Sequence, residues 1–178
     1  MLTTLLLVLT LAQDNPLFPV KQTPGKPASA AAMLGEQAVK LLGEPGQVML
    51  YRVDGENNAR FDVPNVEGFR ILVEKPLDAA RIPEIRDLLL DDKAYDFTQW
   101  GNDKWCGFVP GIAVVFQRDK ASVVALVCFK CGDIVFTASD EKGERFFSTY
   151  ADFSPSRARW LKLAREWFPH DEALKALE

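Results

Sequence analysis

The sequence predicts an α+β domain: a mainly antiparallel sheet of about five strands, closed by a C-terminal three-strand meander and packed by three helices. Three observations carry this. Two dense β-forming runs, 111–117 and 122–128, flank the charged tip Arg118-Asp119-Lys120-Ala121, and a third, 133–137, follows a Cys131-Gly132 corner. Apolar residues recur at helical spacing near 30–43, 82–91 and 155–168. A composition of 48% hydrophobic and 26% charged residues over 178 positions suits one core rather than disorder or serial membrane spans.

Residues 1–12, MLTTLLLVLTLA, form an apolar run that contains no acid and ends in Thr10-Leu11-Ala12, which sets small residues, Thr10 and Ala12, at the two positions a signal peptidase reads; cleavage before Gln13 is expected. A transmembrane span needs about 20 apolar residues, more than this run supplies. No Cys follows the run, so a lipid-anchored maturation is not expected. Residues 13–27 hold Pro16, Pro19, Pro24 and Pro27 and read as a linker, leaving one domain over 28–178.

Within the domain, Ser29 is placed to cap a helix carrying Leu34, Ala38, Leu41 and Leu42, stopped by Gly43-Glu44-Pro45-Gly46. Val48 to Val53 reads as a strand ended by Asp54-Gly55, and Phe69 to Val73 as its partner. Ile82, Ile85, Leu88 and Leu89 mark a second helix, with Pro83 acceptable in its first turn. The run from Val123 is apolar at nearly every position, the mark of an inner strand covered on both faces. Ser154 as N-cap, Pro155 at the first position and Pro169 as stop punctuate the last amphipathic helix, and Asp171-Glu172 can start a short terminal one.

If the hairpin turns about 118–121, residues whose numbers sum to about 239 face each other, which sets Cys131 opposite Phe108 and Cys128 opposite Gly111. The three cysteines, Cys106, Cys128 and Cys131, then cluster at one end of the sheet. The pattern Cys106-x-Phe108-x-Pro110-Gly111-x-Ala113-x-x-Phe116, followed by Leu126-x-Cys128-Phe129-x-Cys131, resembles a motif of small uncharacterised bacterial proteins, many of them exported or lipid-anchored. The resemblance spans roughly 48–137 and implies a fold and an extracytoplasmic compartment more than a reaction. Many relatives show a His shortly after the proline; here Gly111 and Ile112 stand there.

The charge balance, 21 Lys+Arg against 25 Asp+Glu, gives a net charge of −4 and no global basic field, so nucleic acid is not an expected partner. With His170 the single histidine, a Cys–His hydrolase would need Cys106 and His170, yet loop and strand rather than a helix follow Cys106. No phosphate loop, nucleophile elbow or dinucleotide fingerprint is present. The Cys-x-x-Cys closes a strand instead of opening a helix, so it lacks the dipole that activates thioredoxin-like thiols. It matches one knuckle of a zinc ribbon, with Cys106 as third thiolate and His170 or Asp133 as fourth ligand, but no second knuckle exists. The leading reading is a disulfide between Cys106 and one of the pair, with one buried free thiol. The acidic pairs 91–92, 140–141 and 171–172 read as solvation and helix-start charge. Trp100, Trp105 and Phe108 crowd the approach to the hairpin and form the expected binding patch, for a peptide or a cell-envelope component. The function expected is therefore a non-catalytic exported binding or scaffold module, with no catalytic residue, cofactor or metal site assigned. The alternative is a zinc-binding or redox protein using Cys106, Cys128 and Cys131.

Overall fold

The computed structural model describes residues 25–58, 63–101 and 107–178; the expected signal peptide, the linker up to position 24, Trp105 and Cys106 lie outside these residues. Seven strands form one antiparallel sheet: β1 Gln47–Asn58, β2 Asn65–Val66, β3 Phe69–Pro76, β4 Ile112–Arg118, β5 Ala121–Cys128, β6 Asp133–Ser139 and β7 Arg145–Asp152. Their order is β2-β3-β1-β4-β5-β6-β7. Five helices accompany them: α1 Ala30–Leu34, α2 Glu36–Gly43, α3 Ile82–Leu90, α4 Arg157–Trp167 and α5 Glu172–Lys175.

The fold is α+β, but the described residues form seven strands rather than five and five α-helices rather than three. The C-terminal meander has four strands, because Arg145 to Asp152 pairs with β6 after a turn fastened by the Asp140 carboxylate on the amides of Lys142 and Glu144. The first helix is two helices, split where Gly35 takes φ 79, a left-handed value that a Cβ would strain. Ser29 caps α1 through the amide of Ala32. Ser154 does not cap α4: its own amide donates to Asp152, residues 154–156 form a 3-10 turn, and Ser156 Oγ donates to Ala94 O.

The β4–β5 register runs from Ile112↔Val127 to Arg118↔Ala121, a constant sum of 239, with Asp119 at φ 53 in the two-residue tip. Alternation then sorts the side chains onto two faces. One carries Val48, Leu50, Val114, Phe116, Val123, Ala125, Phe136 and Ala138 against the helices, with Trp160, Leu89 and Phe153 fully enclosed. The other carries Val53, Ala113, Val115, Val124, Leu126 and Val135, over which the sheet curls into a half-barrel. Strand β5 is buried on both sides, as its unbroken apolar run predicts.

Strand β1 does not stop at Asp54-Gly55; it continues to Asn58 through a register shift. The reason is a close approach: a Cβ on Gly55 would lie 2.4 Å from Pro110 O and 2.7 Å from Pro110 N. Glycine is needed there for space, not for φ. We expect Gly55→Ala to cost about 2 kcal/mol or more, the range for forced overpacking, read as a lowered midpoint in urea unfolding, whereas Gly43→Ala, with open space around it, should leave the midpoint in place.

Candidate functional site

The curled face is ordered in rows across the sheet. One row runs Met49, Val115, Val124, Thr137, Ser148; the next runs Glu74, Tyr51, Ala113, Leu126, Val135, Tyr150. The middle of each row is closed off, and the half-buried residues Met49, Tyr51, Ile71, Phe108 and Tyr150 form its rim. A side-chain bridge fastens the curl. The β2–β3 turn reaches across to the far end of the sheet, where Thr137 Oγ1 donates to Glu67 Oε1 at 2.8 Å and the Arg145 guanidinium pairs with Glu67. Glu67 has φ 53 and Gly68 φ 83.

Of the three expected binding residues, Phe108 lies on this rim, and Trp100 packs against the helix-covered core and adjoins the rim through Tyr150. Trp100 is half-buried at the β7 edge and stacks on Tyr150, with ring centroids 6.4 Å apart and planes at 17°. Phe108 meets Phe69 edge-on, at 6.2 Å and 63°. Trp105 lies outside the described residues. Sequence reasoning singled out neither Tyr150 nor Tyr51. The β-forming alternation of Phe147, Thr149 and Ala151 was the available signal for the strand that carries Tyr150. Burial, then the charge of Glu74, push the Tyr51 phenol above its ordinary range, so it stays a neutral donor at the rim. The other tryptophans are structural: Trp160 and Trp167 are buried edge-to-face at 6.4 Å.

The motif residues build the adjoining end of the sheet. Pro110 packs under Gly55, Gly111 leaves room for the Phe129 ring, Phe116 fills the helical face and Leu126 the curled one. Arg52 ties these together: Nη1 donates to the carbonyls of Val53 and Gly111, at 2.9 Å for the latter, and Nε to Asp171 Oδ2 at 2.6 Å. Cys128 is a free, fully buried thiol whose sulfur accepts the Cys131 amide at 3.3 Å. Cys131 is half-buried, its Sγ 3.4 Å from Gly107 O, which matches the predicted facing of 131 and 108 within one residue. A cleft of about 380 Å³ opens beside this end, lined by Arg52, Leu72, Pro110, Phe129, Lys130 and Leu177 among others.

Among the described residues no three His, Cys, Asp or Glu side chains are grouped to hold a metal, and His170 is exposed. Nor, among them, is any helix long and apolar enough to cross a membrane. The aspartates of the acidic pairs are structural, Asp140 in the β6–β7 turn and the others at helix starts. Asp91 accepts from the Lys93 amide, Asp92 from Ala30 at the start of α1, and Asp171 from Leu174 at the start of α5. Much of the basic face of α4 is likewise structural, with Arg157 donating to Phe129 O and Arg165 to Leu174 O and Lys175 O. Compared with protein families, curated proteins and solved structures, the chain shows no match in any of the three.

Burial works against the charge of Asp171, but the Arg52 hydrogen bond and the Leu174 amide outweigh it and hold the carboxyl below its ordinary range. A carboxyl depressed in the native state stabilises the fold above its unfolded pKa and loses that contribution as pH falls through the native value. Asp171→Asn is expected to lower stability by about 2 kcal/mol near neutral pH, the scale of a charged hydrogen bond, with the gap from wild type closing as pH falls below the ordinary carboxylate range, as followed by urea unfolding across a pH series.

Proposed function

We propose that this chain is an exported bacterial protein, periplasmic or secreted, and a non-catalytic binding module. Its ligand is an apolar segment of a peptide or cell-envelope component, taken by the aromatic rim of the curled sheet. The observation that supports this most is that two partly buried residues of the curled face, Tyr150 and Phe108, each meet a further aromatic ring, Trp100 and Phe69 respectively. Half-exposed aromatic rings offer large contact area at low entropic cost. A neutral fluorophore such as N-phenyl-1-naphthylamine tests it. The double variant Trp100→Ala/Phe108→Ala should bind it about tenfold more weakly, on the scale of one or two aromatic contacts. Undiminished binding by a variant of unchanged melting temperature would overturn the reading.

The adjoining sheet end is pinned, in this reading, by a disulfide between Cys106 and Cys131. Its support is the free buried thiol at Cys128, together with the position of Cys131 Sγ beside Gly107, the residue that follows Cys106. Unfolded, unreduced protein should then titrate one thiol, and reduced protein all three cysteines. Stoichiometric zinc with every thiol shielded would replace the disulfide by a metal site on Cys106, Cys128 and Cys131. Export is checked by fusing residues 1–12 to a reporter that is active only outside the cytoplasm.

A further inference from the structure

We propose that Arg145, Thr137 and Ser148 form a subsite for the carboxylate of an amphipathic ligand, and that in the free protein the side chain of Glu67 fills this subsite from within. The proposal rests on the reading of the aromatic rim as a binding face, and names the chemistry of what binds there.

Glu67 is poorly suited to the turn it occupies. Val66 and Phe69 pair across a two-residue turn in which both inner residues, Glu67 and Gly68, have positive φ, at 53 and 83. Such turns favour Asn, Asp or Gly at the first inner position, because the left-handed conformation strains a longer side chain. The local polar contact comes instead from Asn65, whose Oδ1 accepts the Gly68 amide. Among the described residues, the hydrogen bonds of Glu67 lie across the curl, on β6 and β7, and not within its own turn.

There it meets a built anion site. Thr137 Oγ1 donates to one carboxylate oxygen at 2.8 Å and Arg145 Nη2 to the other, with the Glu67 side chain only 12% exposed and that of Arg145 38%. A third donor stands beside them. Ser148 faces Thr137 directly in the β6–β7 register, so it shares the curled face; it is 4% exposed, and its hydroxyl has no hydrogen-bond partner among the described residues. A buried hydroxyl without a partner carries an unrecovered desolvation cost. A carboxylate seated deeper than Glu67 would recover it while keeping the guanidinium and Thr137 contacts.

The neighbouring row fixes the rest of the ligand. Tyr150, two residues along β7 from Ser148, lies about 7 Å away along the strand and carries the Trp100 stack. A carboxylate on Arg145 therefore places an attached apolar chain toward Tyr150 and Trp100. The ligand class that matches is an acyl-chain carboxylate. Binding exchanges one carboxylate for another, so the charge at the site is unchanged, and Glu67 is released from the contact that holds its strained turn.

Glu67→Gly tests this, since it removes the internal carboxylate and suits the backbone. Decanoate and decanol are titrated by displacement of N-phenyl-1-naphthylamine from the full chain. We expect Glu67→Gly to bind decanoate about tenfold more tightly than wild type and decanol equally well; Glu67→Gln, which keeps a Thr137 contact without the charge, should show a smaller gain. Adding Arg145→Ala to Glu67→Gly should cancel it. Absence of a decanoate gain, or an equal gain for decanol, would overturn the subsite, the second outcome meaning that the turn had only been loosened. If decanol displaces the fluorophore from neither protein, the rim reading itself falls; if it does so from both alike while decanoate gains nothing, the subsite alone falls.

Discussion

Strands β4 and β5 are apolar on both faces, and the other layers follow from the need to cover them. Ile112 to Phe116 and Val123 to Cys128 are buried without interruption. Each square ångström of that surface is worth roughly 25 cal/mol when removed from water, so neither face can be left open. On one side the helices supply the cover, with α2 lying on β4 and β5 and α4 bringing Trp160, Leu163 and Trp167. On the other side no helix is available among the described residues. The sheet covers that face itself, by curling until the β2–β3 turn rests on β6 and β7.

Self-covering leaves a different surface from helix-covering. The interior of the curl is filled mostly by small and branched residues, with Ala113 in the middle of one row and Phe69 as its buried aromatic residue, whereas Tyr51, Phe108 and Tyr150 stand where the cover runs out. The rim is thus the boundary of a second core. Its neighbour, the Pro110-Gly111 end, is closed by contacts that admit little variation: a glycine without room for a methyl group, a guanidinium on two backbone carbonyls, and a carboxylate that is also a helix cap. The Pro110-Gly111 part of the motif is accounted for by this construction.

The parts of the fold that were legible in the sequence are those where one residue's chemistry decides locally. The β4–β5 hairpin register follows from its charged tip, the coverage of β5 from its unbroken apolar run, and the cap at Ser29 from its hydroxyl. What was not legible depended on distant partners. Gly55 reads as a strand end until Pro110 stands beside it, and Ser154 reads as a cap until Asp152 takes its amide and Ser156 turns to Ala94. Strand β7 begins with exposed Arg145 and Phe146, so its alternation is half hidden. At the candidate site, aromatic crowding pointed to Trp100 and Phe108, but Tyr51 and Tyr150 join them only through pairings that span the whole sheet. Glu67 carried no signal at all, because its role lies about 70 residues away along the chain.

The strand order also bears on how the chain reaches this state. Every neighbouring pair in β4 to β7 is joined by a short turn, and β3 pairs with both β1 and β2 close to it in sequence. Among the strand pairings of the described residues, the β1–β4 seam is the one that joins distant segments, as in Gln47↔Gln117. Such non-local pairing is the slow kind, since the loop must be closed before its contacts repay the entropy. The sheet is thus wired as two locally paired units joined along the β1–β4 seam and bridged again by Glu67 across the curl. Whatever holds β1 and β4 in register, including Gly55 under Pro110 and Arg52 on Gly111, acts on the rate of folding as well as on the finished structure.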